Sequence, residues 1–134
     1  MCTLLTHTFC LMCHTQELNL YNNQIGDAGL TALAKAVESG ALASLKELYL
    51  GMNQIGDDGL KALAEACASG ALASLERLFL DDNKISDAGL TALAKAVESG
   101  ALAPGATVLL EANSATETGK QAMRDAAKAR GLIV

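Results

Sequence analysis

Residues 45–55 read Leu-Lys-Glu-Leu-Tyr-Leu-Gly-Met-Asn-Gln-Ile, and residues 75–85 repeat the frame as Leu-Glu-Arg-Leu-Phe-Leu-Asp-Asp-Asn-Lys-Ile. Within each stretch two leucines alternate with other residues, Leu48/Leu50 and Leu78/Leu80, as in a short strand with one buried face. Three residues on stands an asparagine, and two further on an isoleucine. Outward from this frame the whole chain falls into blocks of thirty: 17–46, 47–76, 77–106 and a shorter, degenerate 107–134. Residues 27–43 and 87–103 are the same seventeen residues, DAGLTALAKAVESGALA, an identity that internal duplication explains.

The grammar of the block is constant. Leu18/Leu20 and Val108/Leu110 complete the strand positions, and Asn23, Asn53, Asn83 and Asn113 form one column. Ile25, Ile55 and Ile85 plug the unit, weakening to Ala115. Asp27, Asp57 and Asp87 follow, each able to cap a helix by accepting bonds from its free N–H groups. Leu30, Leu33, Ala34 and Val37 then recur at helical spacing, an apolar stripe on a helix of about three turns. Gly40, Gly70 and Gly100 stand where a helix ends through a left-handed residue.

One strand and one helix cannot bury their own apolar faces. Side-by-side stacking joins the strands into a parallel sheet and the helices into a second layer, with a continuous core between. Strands lie about 4.8 Å apart and helices need 8–10 Å, so the stack curves with strands inside. Asparagines at equivalent turns would bond to backbone groups left free where each strand ends, forming a ladder through the loops.

The pattern L-x-x-L-x-L-x-x-N-x-I resembles the leucine-rich repeat family. The helical half and G-D-x-G-L-x-A-L resemble its ribonuclease-inhibitor-like subclass, found also in NOD-like receptor tails and Ran GTPase-activating proteins. The resemblance implies a right-handed α/β solenoid from Glu17 onward, preceded by an irregular N-terminal cap over residues 1–16 that replaces the end of an upstream repeat. It implies a non-catalytic protein-interaction module. It leaves open a regulator of an enzyme, GTPase-activating or nuclease-inhibiting, because one scaffold carries many functions.

In such a horseshoe the outward strand residues line the concave face. The columns are Glu17, Glu47, Arg77, Thr107; Asn19, Tyr49, Phe79, Leu109; Tyr21, Gly51, Asp81, Glu111; and Asn22, Met52, Asp82, Ala112. The helical halves are nearly identical, yet these residues differ from block to block. Tyr49, Phe79 and Leu109 make an apolar row beside Glu47, Asp81, Asp82 and Glu111. With Arg77, these eight are the expected partner-binding residues, suited to a basic, partly apolar protein surface. The competing reading is that lateral packing between strands selects Tyr and Phe for their fit to β structure.

Composition narrows the field. Of 134 residues, 51% are hydrophobic and 19% charged, too apolar for a disordered tail. A net charge of −5 argues against nucleic acid and anionic membranes, whose binders carry Lys and Arg against phosphate. No apolar run approaches the roughly 20 residues that span a bilayer. No Lys or Arg precedes Lys35, and Thr3, Thr6, His7 and Thr8 interrupt the early apolar residues, unlike a secretory signal. The expected compartment is therefore cytoplasmic and reducing, with free thiols. If residues 1–16 leave the first strand uncovered, its open edge can pair with a second copy.

Other chemistry is thin. Cys10-Leu11-Met12-Cys13-His14 matches the haem-attachment spacing, and His7, Cys10, Cys13 and His14 offer mixed zinc ligands. Both are remote alternatives to a capping segment, and no cofactor is expected. Cys67 stands where Val37 and Val97 do, as a small buried hydrophobe. No loop has calcium-ligand spacing or a phosphate-cradling glycine motif. No histidine lies beyond residue 14, so a histidine-based triad within the repeats is impossible. The basic Lys120, Arg124, Lys128 and Arg130 suit a polar C-terminal cap, and Leu132 falls in the Leu42 column.

Overall fold

The computed structural model describes residues 15–134. The cysteine–histidine segment, including His7, Cys10, Cys13 and His14, lies outside the described residues.

Strands and helices alternate: β1 (Glu17–Asn19), α1 (Gly26–Glu38), β2 (Glu47–Tyr49), α2 (Asp57–Ala68), β3 (Arg77–Phe79), α3 (Asp87–Glu98), β4 (Thr107–Leu109) and α4 (Glu117–Arg130). The strands form one parallel sheet in sequence order. Its register puts Leu18, Leu48, Leu78 and Val108 on one line and Asn19, Tyr49, Phe79 and Leu109 on another. This is an α/β solenoid. Consecutive parallel strands joined through helices are right-handed crossovers by the twist of the strands.

The core lies between the two layers. Leu48, Leu78 and Val108 meet Leu60, Leu63, Leu90, Leu93 and Met123 from the helices, all essentially without solvent contact. The first unit is less covered, since Leu18, Leu20, Ile25 and Leu33 are only partly buried. At the other end the chain closes on itself. Ile133 pairs in parallel with Thr107, its N–H donating to the Ala106 carbonyl at 2.8 Å while its carbonyl accepts from Val108 N. Leu132 packs against the core, as its column predicts.

Two polar ladders hold the units together. Asn83 Oδ1 accepts from the N–H groups of Asn53 and Ile55, both at 3.0 Å, and its Nδ2 donates to the carbonyls of Leu50, Leu80 and Asp81. Asn53 does the same toward the first unit, through Asn23 N, Ile25 N and the Leu20 carbonyl. Asn113 continues it from the fourth unit to Ile85 N and the Leu80 carbonyl. Asn53 and Asn83 are the buried polar side chains among the described residues, and each is satisfied.

The aspartates form the second ladder, and each caps the helix after its own. None of these four helices carries a side-chain cap from its own N-cap residue. Instead Asp27 Oδ1 accepts from Gly56 N at 2.6 Å and Gly59 N at 3.1 Å. Asp57 takes Ser86 N, Gly89 N and the Ser86 hydroxyl, and Asp87 takes Thr116 N and the Thr116 hydroxyl. The donors are the orphan N–H groups of the next helix.

These bonds set an acid dependence. Burial pushes the Asp57 carboxyl up, but bonds from Ser86 and Gly89, with Lys61 nearby, together hold it below its ordinary 3.8. The Thr116 hydroxyl, above all, holds Asp87 below the same value. A carboxylate with a depressed folded pKa contributes stability above its unfolded pKa and loses it as pH falls through the folded value. The thermal midpoint is therefore expected to hold near neutrality and fall below about pH 4. Asp57→Asn with Asp87→Asn should lower the neutral midpoint and flatten that fall; an unchanged profile would exclude the carboxylates as its source.

The helix ends read as the sequence implies. Gly40, Gly70 and Gly100 are left-handed, at φ of 88°, 87° and 89°. Cys67 lies on the buried stripe, and burial pushes its thiol up to about 12. In a chain with Cys2, Cys10 and Cys13 replaced by serine, Cys67 should stay inert to a thiol reagent until urea unfolds the protein. Cys67→Val, matching positions 37 and 97, should cost less than about 1.5 kcal/mol.

Candidate functional site

Alternation sends Leu48, Leu78 and Val108 toward the helices and leaves residues 47, 49, 77, 79, 107 and 109 on the opposite face of the sheet. Tyr49 and Phe79, paired across β2 and β3, stack with ring centroids 4.6 Å apart and planes 10° from parallel. Leu109 follows in register, 37% exposed. The apolar row read from sequence is therefore a contiguous surface whose two rings are already fixed against each other.

Glu47 locks this cluster. Its Oε2 accepts from the Tyr49 hydroxyl at 2.6 Å and its Oε1 from Arg77 Nη1 at 2.7 Å. The hydrogen bond to Glu47, followed by burial, holds the Tyr49 phenol above its ordinary 10.0. Glu47 and Arg77 thus neutralise each other and orient the tyrosine.

Beyond the strand ends the parallel ladder continues into the loops. Asn22 N, Met52 N and Asp82 N donate to the carbonyls of Gly51, Asp81 and Glu111. Asn22, Met52, Asp82 and Ala112 turn the chain with φ between 51° and 56°. For a non-glycine residue that conformation costs about 1 kcal/mol or more, which the ladder offsets.

This turn opens a groove of about 550 Å³ over the C-terminal ends of the strands. Tyr49, Phe79, Asp81, Asp82, Leu109 and Glu111 line it, six of the eight residues expected from sequence. Glu47 and Arg77 stand outside the lining, paired two residues before Tyr49 and Phe79 along the strands. Tyr21 and Ala112, which the sequence places in the concave columns but not among the eight, complete the lining. Tyr21 is 48% exposed, and its hydroxyl donates to Met52 Sδ at 2.9 Å. The available signal was its column, where Tyr21 is the aromatic beside Gly51. No Lys or Arg lines the groove, and Asp81, Asp82 and Glu111 form no ion pair among the described residues. The described residues contain no His/Cys/Asp/Glu cluster able to hold a metal. None of their helices is long and apolar enough to cross a membrane.

Stacked strand–helix units with one helix-covered and one open sheet face define a repeat scaffold of the interaction type. The Leucine Rich repeat family model matches residues 12–34, 41–64 and 71–94, more than half of the chain, and the chain belongs to that family. Among solved structures it is similar to "Leiomodin-1 Actin-Binding Site 2 (ABS2)", with a TM-score of 0.66 and 19% identity over 96% of this chain and 73% of that one. At that identity the likeness is one of fold. No curated protein matches the sequence.

Proposed function

We propose that the chain is a non-catalytic protein-binding module that takes a basic, partly apolar segment on its open strand face. The Tyr49–Phe79 stack carries this reading. A tyrosine anchored by Glu47 and stacked on Phe79, with both rings only half-buried, is the kind of preorganised anchor that dominates protein interfaces. The unpaired carboxylates of Asp81, Asp82 and Glu111 at one end supply charge complementary to a basic partner. A full α-helical return in every unit supports the ribonuclease-inhibitor-like subclass. The leiomodin-1 likeness, being one of fold, supports an interaction role and does not carry actin across as the partner.

Selection of a random twelve-residue displayed peptide library on the purified chain tests this. Peptides combining Lys or Arg with aromatic or aliphatic residues are expected, and Tyr49→Ala with Phe79→Ala should abolish their binding while leaving the helical circular dichroism unchanged. Selection of acidic peptides, or binding indifferent to the double substitution, would overturn the strand-face reading.

A further inference from the structure

We infer that the Tyr21–Asp81 pair, closed over the buried Gly51 and facing the groove, takes a single arginine side chain of the bound segment, an inference that rests on the strand-face reading and narrows its partner. Gly51 continues β2, between Tyr21 from the first unit and Asp81 from the third. Backbones two strands apart are separated by about 10 Å, so side chains at 21 and 81 would ordinarily have a residue between them. Here they do not. A Cβ on Gly51 would lie 2.9 Å from Tyr21 Cδ2 and Cε2 on one side and 2.9 Å from Asp81 Oδ1 on the other. The missing side chain lets the ring and the carboxylate close over the middle strand, so a cation held by Asp81 falls within the roughly 6 Å over which a ring attracts it. Gly51 does not have a positive φ, so backbone freedom is not what a glycine supplies there.

The pair selects one chemistry. A guanidinium is planar, so it can lie on the Tyr21 face and donate two parallel N–H groups to Asp81. An ammonium is a compact point charge that gains the carboxylate and forgoes the stacking. Tyr21 presents an accessible ring, its hydroxyl anchored on Met52 Sδ. Asp82 and Glu111 line the same groove and add negative potential. The apolar row of Tyr49, Phe79 and Leu109 alongside takes the aliphatic neighbours of that arginine.

The probe is an arginine-containing peptide from the displayed-library selection, measured by titration calorimetry. Replacing its arginine with lysine or citrulline should weaken binding about tenfold or more, the loss expected for a charged hydrogen-bonded pair. Gly51→Ala, which keeps both binding side chains but forces Tyr21 and Asp81 apart, should weaken it similarly. Tyr21→Leu and Asp81→Asn provide the same readout should Gly51→Ala fold poorly. Lysine peptides binding as tightly as arginine peptides, or full affinity in Tyr21→Leu and Asp81→Asn, would overturn the inference. If Tyr49→Ala with Phe79→Ala still abolished binding in that case, the strand face would stand and only the arginine contact would fall.

Discussion

Asn83→Leu is expected to lower the unfolding free energy by about 3–5 kcal/mol, read from urea denaturation. Leucine keeps the volume and removes the amide. Two backbone N–H groups, Asn53 and Ile55, lose their acceptor, and the carbonyls of Leu50, Leu80 and Asp81 lose a shared donor. Asn83 is 7% exposed, so water reaches few of these groups. Each buried polar group left dry costs about 1–3 kcal/mol, and a domain has only about 5–15 kcal/mol in total. The effect should be graded along the column. Asn113 is partly exposed and Asn23 exposed, and among the described residues Asn23 Nδ2 donates to the Tyr21 carbonyl. Asn113→Leu should therefore cost less than Asn83→Leu, and Asn23→Leu least. Equal losses at all three would mean that intrinsic turn preference, rather than the inter-unit ladder, keeps asparagine there.

Gly89→Ala should destabilise the chain although alanine is the better helix former. In an isolated helix the exchange gains about 1 kcal/mol. In the stack the new methyl would lie 2.6 Å from Asp57 Oδ1, 3.1 Å from Ile85 Cγ2 and 3.3 Å from Asp57 Cα. The carboxylate can retreat, but only by leaving the N–H groups of Ser86 and Gly89. Overpacking together with the lost cap should cost about 1–3 kcal/mol net, seen as a lower urea midpoint. A double-mutant cycle isolates the cause. With Asp57→Ala in place, Gly89→Ala should become neutral or favourable. A stabilising Gly89→Ala in the otherwise unaltered chain would show that the helices are not stitched through their aspartates.

The two ladders differ in how legible they are. The asparagine column is visible because each residue does its work at the same point of every thirty-residue block, and an amide recurring between apolar neighbours points to backbone groups that need a partner. The aspartates are visible as capping residues, but the string does not say which helix they serve. Asp57 reaches Ser86 and Gly89, about one repeat away, because stacking brings the start of α3 onto the first turn of α2. That closeness is a property of the packed layer. It also explains the glycine of the G-D-x-G motif, which reads as a helix weakness until the neighbouring carboxylate is in view.

The open strand face was legible as far as alternation reaches. Tyr49, Phe79 and Leu109 follow from a period of two, and the register places them side by side. Glu47 and Arg77 stand in the sequence as two of the eight expected partner-binding residues, whereas in the structure they pair with each other and Glu47 also bonds Tyr49. Tyr21 stood in its column but outside the eight for the opposite reason. A residue becomes part of a groove when its neighbour is absent, and the absence at Gly51 is a matter of shape between three strands. The closure by Ile133 at the sheet edge was foreshadowed only by the Leu132 column, since one backbone bridge leaves no pattern in side chains.

The most direct test of the strand-face site is a backbone amide chemical-shift map of the full chain titrated with a library-selected peptide. The expected result is perturbation of residues 19–22, 49–52, 79–82 and 109–112, with the amides of α1 to α4 unmoved. Perturbations running along the helices instead, with Tyr49, Gly51 and Phe79 silent, would contradict it.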